Sequence, residues 1–242
     1  MQAVVLAGGR GTRLHPFTVS FPKPLVPIGD HPVLEVLLTG LRSDGVDRLV
    51  LAVGHLAPLI ESYFQDGSRW GVRIEYHRED QPLGTAGPLG TIPDLDPEFL
   101  VVNGDLLTDL SFQALVRHHQ STRAAVTVAR HQVDHQVSLG VLEVDEEGRL
   151  VGYREKPVIR YWVSMGAYVF RREVVQEFVP PGQRLDLPDL LQQVVAAGRP
   201  VQTYAHPGTW MDIGRPEDYA AAQDLFQRNP DLFLRPPREP VG

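Results

Sequence analysis

The sequence predicts an α/β fold: a Rossmann-like, mostly parallel sheet with helices on both faces and a smaller β-rich sub-domain. In the first half of the 242 residues, short apolar runs alternate with helical patterns, which is typical of βαβ units. The first apolar run, Val4 to Ala7, leads directly into a turn that holds three glycines. From about residue 124, strand-like segments follow one another with little helix between them, which indicates the β-rich part.

The elements of the first half follow in order after the glycine turn. Helices have apolar residues at helical spacing, and strands are short apolar or alternating runs. The predicted strands lie at 49–53, 72–76 and 99–102. The predicted helices lie at 32–41, 56–64 and 85–89, with a further helix to residue 119. Ser111 is a favourable N-cap for that further helix.

The second half is richer in strands, and helices return only near its end. The predicted strands lie at 124–129, 137–144, 150–153 and 164–170, and the predicted helices at 172–179, 188–197 and 217–227. We expect one domain over residues 1–228, with its two parts at about 1–123 and 124–212. The proline-rich tail, 229–242, is expected to be only loosely attached.

Composition limits the classes of function. A net charge of −7 argues against nucleic-acid and anionic-membrane partners, which require a basic face. With no cysteine, disulfides, thiolate metal sites and cysteine nucleophiles are excluded. No apolar run approaches the roughly 18 residues of a membrane span, and the first strand leaves no room for a signal peptide. We therefore expect a cytoplasmic protein.

The glycine turn is the strongest local signal. Gly8, Gly9 and Gly11 can adopt a positive φ and allow a ligand to approach the backbone. Successive N–H groups in such a turn form an anion-binding concavity. Arg10 and Arg13 add positive charge beside it. The turn is therefore predicted to bind phosphate.

The lysines support a phosphate site. The chain has only two, Lys23 and Lys156, and each is followed by proline. Lysine provides a compact point charge, whereas arginine provides a planar fork suited to bidentate pairing. A chain that otherwise uses arginine is expected to need the ammonium geometry at these two positions.

Two common phosphate loops do not fit the turn. A Walker A loop requires Lys-Ser or Lys-Thr, which the chain lacks. A dinucleotide fingerprint aligned on Gly9 and Gly11 would place Leu14 where the third small residue is needed. His15-Pro16 also prevents a long helix from following directly.

GGRGTRLHPFT (8–18) followed by FPKPLVPI (21–28) resembles the sugar-1-phosphate nucleotidyltransferases. Within that family, PLGTAGPL (82–89) is most similar to the mannose-1-phosphate guanylyltransferases. The resemblance continues in order along nearly the whole chain. The further blocks are EDQPLGTAGPL (79–89), NGD (103–105), LGVLEVD (139–145), REKP (154–157) and WMDIGRPEDY (210–219). The implied domain is one nucleotidyltransferase domain, with a nucleotide-binding part followed by a sugar-binding part. No hexapeptide period follows residue 228, so a β-helix acyltransferase domain is not expected.

The resemblance implies a role for each block. Arg13, Lys23 and Asp105 would be catalytic, and Asp105 and Asp212 would hold Mg²⁺, which prefers one or two carboxylates plus phosphate oxygens. The implied nucleotide-binding residues are Leu6, Ala7, Gly8, Gly9, Gly11, Thr12, Arg13, Lys23, Glu79, Gly84 and Thr85. The implied sugar-phosphate-binding residues are Gly140, Glu155, Lys156, Ser164 and Gly166.

The implied reaction joins an NTP and a sugar-1-phosphate into an NDP-sugar and pyrophosphate. Glu79 lies where the family reads the base, and a carboxylate can accept hydrogen bonds from guanine N1–H and N2. This favours GTP with mannose-1-phosphate; thymidylyl or uridylyl transfer to glucose-1-phosphate remains an alternative. Ser164 replaces the asparagine expected there, which leaves the sugar open.

Two other classes of protein stay open. A non-catalytic regulatory subunit would bind the nucleotide sugar, but it would be expected to have lost some phosphate or metal residues. A cytidylyl- or molybdenum-cofactor-type transferase would lack the EKP and WMDIGRPEDY blocks. A homo-oligomer is possible.

Some residues are expected to have no role in the chemistry. Trp210 is interpreted as a packing residue. The nine histidines show no metal-ligand spacing supported by nearby carboxylates, and they are interpreted as surface residues.

Overall fold

The computed structural model describes residues 1–9, 11–14, 18–79, 81–214 and 216–235, with the side chain of Arg13 excepted. Its strands are β1 (Gln2–Ala7), β2 (Pro27–Ile28), β3 (His31–Pro32), β4 (Arg48–Val53), β5 (Arg73–Arg78), β6 (Glu98–Asn103), β7 (Leu106–Thr108), β8 (Val126–Gln136), β9 (Val141–Val144), β10 (Leu150–Arg154), β11 (Val158–Arg171), β12 (Val201–Ala205) and β13 (Trp210–Asp212). Its α-helices are α1 (Val33–Ser43), α2 (Ala57–Phe64), α3 (Phe112–Thr122), α4 (Arg172–Phe178), α5 (Leu187–Ala196), α6 (Pro216–Arg228) and α7 (Pro230–Phe233).

A seven-stranded sheet in the order β12-β8-β11-β6-β1-β4-β5 forms the centre of the molecule. Strands β6, β1, β4 and β5 are parallel, as are β12 and β8, whereas β11 runs antiparallel to both of its neighbours. The mostly parallel sheet is therefore confirmed. Parallel strands place their carboxyl ends at one edge, where ligands bind in open α/β sheets.

Helices cover both faces of this sheet. On one face, α1, α2 and α3 contribute buried residues to a core with β1, β4 and β6, and Phe64 and Phe112 are among its largest side chains. On the other face, α4 and α5 pack with Phe99 and Phe170. No helix in the described part of the chain is long and apolar enough to cross a membrane.

The β-rich part shares strands with the main sheet. The predicted strand at 124–129 continues to Gln136, and the one at 164–170 begins earlier, at Val158. Strand β8 pairs with β11 along its whole length, from Val126 to Gln136. Strand β6 pairs only with the last part of β11, from Ala167 to Arg171. The strand predicted at 137–144 begins only at Val141, where β9 and β10 form a separate hairpin.

The first part of the tail packs against the domain, so the expectation of loose attachment was wrong for it. Phe233 of α7 is 1% exposed and stacks on Phe226 of α6, with ring centroids 5.9 Å apart. An apolar ring next to the core explains the attachment, because its burial outweighs the cost of ordering a short segment. Residues 236–242 lie outside the described ranges.

Candidate functional site

The carboxyl ends of β1 and β6 bring two of the predicted motifs together. Gly104 N–H donates to the Leu6 carbonyl at 3.0 Å, so the Asn103-Gly104-Asp105 turn begins beside the end of β1. Leu6 is half-buried and Ala7 is buried. The glycine turn and Asp105 therefore leave the sheet at the same edge.

The glycine turn folds onto the segment that carries Lys23. Gly11 has a φ of +61°, and a Cβ there would lie 3.0 Å from the Thr18 methyl group and 3.2 Å from Lys23 Cβ. The Thr18 hydroxyl donates to the Gly11 carbonyl at 2.7 Å. The φ and the close contacts both favour glycine at this position. The surroundings of Gly9 are open, and Thr12 is exposed.

The loop also carries two predicted cations, Arg10 and Arg13. Arg10 lies outside the described residues. Arg13 belongs to the 3₁₀ turn Thr12–Leu14, and its side chain lies outside the described part of the structure.

Lys23 links the two aspartates. Its ammonium contacts Asp105 Oδ2 directly and lies 3.7 Å from Asp212 Oδ1. A 3₁₀ turn, Lys23–Leu25, positions it between Pro22 and Pro24. The Lys23 side chain is 12% exposed and that of Asp105 19%, so the positive charge is largely shielded from water.

Pairing of β13 with β7 brings Asp212 to Asp105. Asp212 lies opposite Leu106, and Ile213 N–H donates to the Asp105 carbonyl at 3.4 Å. Because both carboxylates approach one ammonium, they can approach one divalent cation, and hard carboxylate oxygens are the ligands that Mg²⁺ prefers. No group of three or more potential ligands occurs among the described residues, so phosphate oxygens or water would complete the shell.

Asp109 and His206 support the pairing of β13 with β7, and the sequence analysis did not identify either residue. Asp109 Oδ1 accepts from Thr209 N–H at 2.7 Å and lies 2.8 Å from His206 Nε2. The Thr108 hydroxyl donates to the Thr209 carbonyl at 2.7 Å. His206 is buried, as is His119, so the expectation that all nine histidines lie at the surface was wrong for these two.

Glu79 lies next to the glycine turn. A Cβ on Gly8 would lie 2.9 Å from Glu79 Oε1, so this glycine leaves room for the carboxylate. The other oxygen accepts from Leu83 N–H at 2.9 Å. Burial raises the pKa of Glu79 above its ordinary value of 4.5, and the Leu83 hydrogen bond opposes that shift in part.

Gly84 and Thr85 are attached to the N-terminus of α5. Gly84 has a φ of +80°, and a Cβ would lie 2.6 Å from the Leu185 carbonyl oxygen. Thr85 N–H donates to Asp186 Oδ1 at 3.0 Å, and the Thr85 hydroxyl accepts from Leu187 N–H at 2.7 Å. The observed contacts of Thr85 thus hold a loop in place, and its contact with nucleotide stays a prediction.

The sugar-side strand meets β6 at Gly166. Gly166 has a φ of +74°, and a Cβ would lie 2.5 Å from Asn103 Nδ2. The Ser164 hydroxyl lies 2.9 Å from the Tyr168 hydroxyl. The indole of Trp210 donates to the Met165 carbonyl at 3.0 Å, and its ring packs against the core, which confirms its packing role.

The remaining predicted residues lie around the β9–β10 hairpin. Gly140 lies against the Tyr153 hydroxyl, which donates to Glu155 Oε2 at 2.7 Å. Lys156 is exposed with a φ of +44°, and its carbonyl accepts from Gln136. The structure brings Gly140 and Glu155 together, and among the described residues it gives neither of them a contact with Asp105.

A family model described as nucleotidyl transferase matches residues 2–229. The chain is a member of the nucleotidyl transferase family. Curated relatives of the chain within this family are sugar-1-phosphate nucleotidyltransferases. The resemblance predicted from the ordered sequence blocks is therefore confirmed.

Two curated relatives in this nucleotidyl transferase family have names that specify different nucleotides and sugars. The chain is 38% identical over 239 residues to a UTP–glucose-1-phosphate uridylyltransferase of Synechocystis, which covers 90% of this chain and 61% of that protein. It is 34% identical over 227 residues to a mannose-1-phosphate guanylyltransferase of Mycobacterium tuberculosis, covering 90% and 62% respectively. The chain thus spans about three-fifths of the length of these relatives.

A solved structure agrees with the fold. The crystal structure of HddC from Yersinia pseudotuberculosis superposes with a TM-score of 0.74 at 24% identity. The match covers 93% of this chain and 99% of that one.

Proposed function

We propose that this chain transfers a nucleotidyl group from an NTP to a sugar-1-phosphate, releasing pyrophosphate. The observation that carries the proposal is the Lys23 ammonium, which contacts Asp105 and approaches Asp212 beside the glycine turn. Membership of the nucleotidyl transferase family supports it. One cation and two carboxylates next to a glycine turn suit a polyphosphate with its metal ion.

In the proposed reaction, a phosphate oxygen of the sugar attacks the α-phosphorus of the NTP. The new P–O bond forms as the bond to the departing pyrophosphate breaks, and the electron pair leaves with pyrophosphate. The attacking oxygen is already an anion, so no general base is needed. The residues of the chain therefore contribute positioning and charge neutralisation.

Asp105 and Asp212 would hold Mg²⁺. When bound, Mg²⁺ supplies positive charge to the phosphate oxygens. Lys23 and Arg13 would bind the phosphates from the protein side, and the N–H groups of the glycine turn would orient them. Lys156 and Glu155 would reach the sugar phosphate from the hairpin.

For the base and the sugar, we favour GTP and mannose-1-phosphate. Glu79 lies beside Gly8, where its carboxylate could accept from guanine N1–H and N2. The uridylyltransferase relative at 38% identity favours a second candidate, UTP with glucose-1-phosphate.

Pyrophosphate release tests the proposal. The full chain is assayed with Mg²⁺ and each of GTP, dTTP, UTP, ATP and CTP, against mannose-, glucose- and N-acetylglucosamine-1-phosphate. One productive pair establishes the activity and identifies the base and the sugar. No release from any pair, with a nucleotide sugar still bound in calorimetry, would favour either a non-catalytic regulatory subunit or a sugar outside this set.

A further inference from the structure

Arg130 of β8 stacks on Trp162 of β11. The guanidinium carbon lies 3.8 Å from the centre of the indole ring, which is a cation–π geometry. Within the described residues, the structure gives this guanidinium no hydrogen bond and no ion pair, and its Nε is shielded from solvent. Trp162 is 48% exposed, so the pair lies at the surface.

The register places Arg130 beside the predicted sugar-side residues. Arg130 lies opposite Ser164 in the antiparallel β8–β11 pair, so the two side chains share a face of the sheet. The Ser164 hydroxyl meets that of Tyr168, which lies opposite Val101 of β6. Asn103, two residues after Val101, shares this face as well. Arg130 therefore lies two strands from Asn103, about 10 Å away.

Other arginines of this region have carboxylate partners. Arg154 lies 3.0 Å from Glu143, and Arg160 lies 2.9 Å from Asp134. Arg130 differs from both, because among the described residues its guanidinium has only the indole as a partner. A planar guanidinium fork matches a carboxylate or a phosphate bidentately.

The geometry points to a subsite in which Arg130 and Trp162 bind an anionic substituent on the sugar ring, away from its C1 phosphate. The inference rests on the proposed transfer reaction. It replaces mannose-1-phosphate, which has a neutral ring, with sugar-1-phosphates that carry a further carboxylate or phosphate group as the preferred substrate class. The indole would contact the ring, and the guanidinium would pair with the anion. Neutral hexose 1-phosphates would be weaker substrates.

Substrate competition in the full chain tests the subsite. With Mg²⁺ and the productive nucleotide, kcat/KM is compared for glucose 1-phosphate, glucuronic acid 1-phosphate and glucose 1,6-bisphosphate. We expect an anionic sugar to be preferred about ten- to a hundredfold, since hydrogen bonds to charged groups are strong. Preference for glucuronic acid 1-phosphate identifies a carboxylate subsite, and preference for the bisphosphate identifies a phosphate subsite.

Variants assign the preference to Arg130. Arg130→Met should lower kcat/KM for the anionic sugars to the value for glucose 1-phosphate. Arg130→Lys should keep part of the preference for the anionic sugars. The matched control is Arg160→Met, in which the arginine paired with Asp134 is removed and the preference should remain. Equal kcat/KM for neutral and anionic sugars in the unmodified chain would overturn the subsite and leave the proposed function intact.

Calorimetry separates the two proposals if no sugar releases pyrophosphate. Tighter binding of an anionic sugar-1-phosphate, lost in Arg130→Met or weakened in Arg130→Lys, would support the subsite while the transferase activity fails. Equal binding of neutral and anionic sugars would overturn the subsite.

Discussion

The ammonium of Lys23 contacts the carboxylate of Asp105, although Lys23 belongs to a motif that follows β1 and Asp105 to one that follows β6. The same ammonium lies 3.7 Å from Asp212. One lysine thus offsets one of the two negative charges, so the site keeps a net negative charge when no metal is bound. A divalent cation entering the site would compete with Lys23 for these carboxylates, and Lys23 would then be available to the phosphates.

Asp105→Asn should lower pyrophosphate release on the order of a hundredfold or more, because it removes charge from the proposed metal pair. The asparagine keeps the size of the side chain, so circular dichroism should show a folded protein. Asp224→Asn on the exposed face of α6 is the matched control and should retain turnover. Activity of Asp105→Asn close to that of the unmodified chain would contradict the metal assignment.

Glu79→Gln should weaken the preference for GTP over UTP and dTTP, because an amide cannot accept from both guanine donors as a carboxylate does. Burial raises the pKa of Glu79, so in the unmodified chain the preference for GTP should increase as pH rises from 4.5 through that raised pKa. The Gln variant should show no such pH dependence. Ratios of kcat/KM measured across pH test both points, with Glu173→Gln as the control. An unchanged ratio in Glu79→Gln would exclude base reading by this residue.

His119 should make stability depend on pH. Its side chain is inaccessible to solvent and its Nδ1 lies 2.8 Å from the Thr127 hydroxyl. Burial lowers the pKa of His119 below its ordinary value of 6.5, although Glu98 opposes the shift. The folded state thus favours the neutral ring, so its stabilising contribution is present above pH 6.5 and is lost as pH falls through the lowered pKa.

Urea unfolding between about pH 5 and pH 8 measures this effect. The free energy of unfolding should fall at the acid end in the unmodified chain and fall less in His119→Gln. His135→Gln, at an exposed position of β8, should behave like the unmodified chain. The same slope in His119→Gln and the unmodified chain would show that another group is responsible.

Phe233→Ala should lower the free energy of unfolding by about 3–5 kcal/mol, because it deletes a buried ring stacked on Phe226. Leu59→Ala removes an exposed apolar side chain on α2 and should cost much less. Denaturant unfolding of both variants compares them directly. A loss in Phe233→Ala no larger than in Leu59→Ala would mean that α7 contributes little to stability.

The sequence predicted the alternating part of the fold well, because each buried strand and amphipathic helix has a local period. The Ser111 cap is an example: its hydroxyl accepts from Ala114 N–H at 3.3 Å at the start of α3. The extension of β11 to Val158 was missed. Val158, Tyr161 and Trp162 are exposed there, so the segment lacks the one-sided burial that makes an alternating strand recognisable.

Residues of the candidate site were predictable from the sequence only where they belong to a recognisable motif. The structure brings Lys23, Asp105 and Asp212 together, and their catalytic roles stay predictions. Asp109 and His206 were missed because their contact joins distant segments and leaves no local pattern. Arg130 was missed for a similar reason, since only the strand register places it beside Ser164.

The pairing of β7 with β13 also affects the order in which parts of the site can form while the chain is being synthesised. Asp109 and Thr209 meet across 100 residues of chain, so this contact forms only after Thr209 has been synthesised. A nascent chain that ends before β13 could fold the glycine turn, β1 and β6, yet it would lack Asp212. Such a chain would acquire the second carboxylate of the proposed metal pair only after the glycine turn and the first carboxylate are in place.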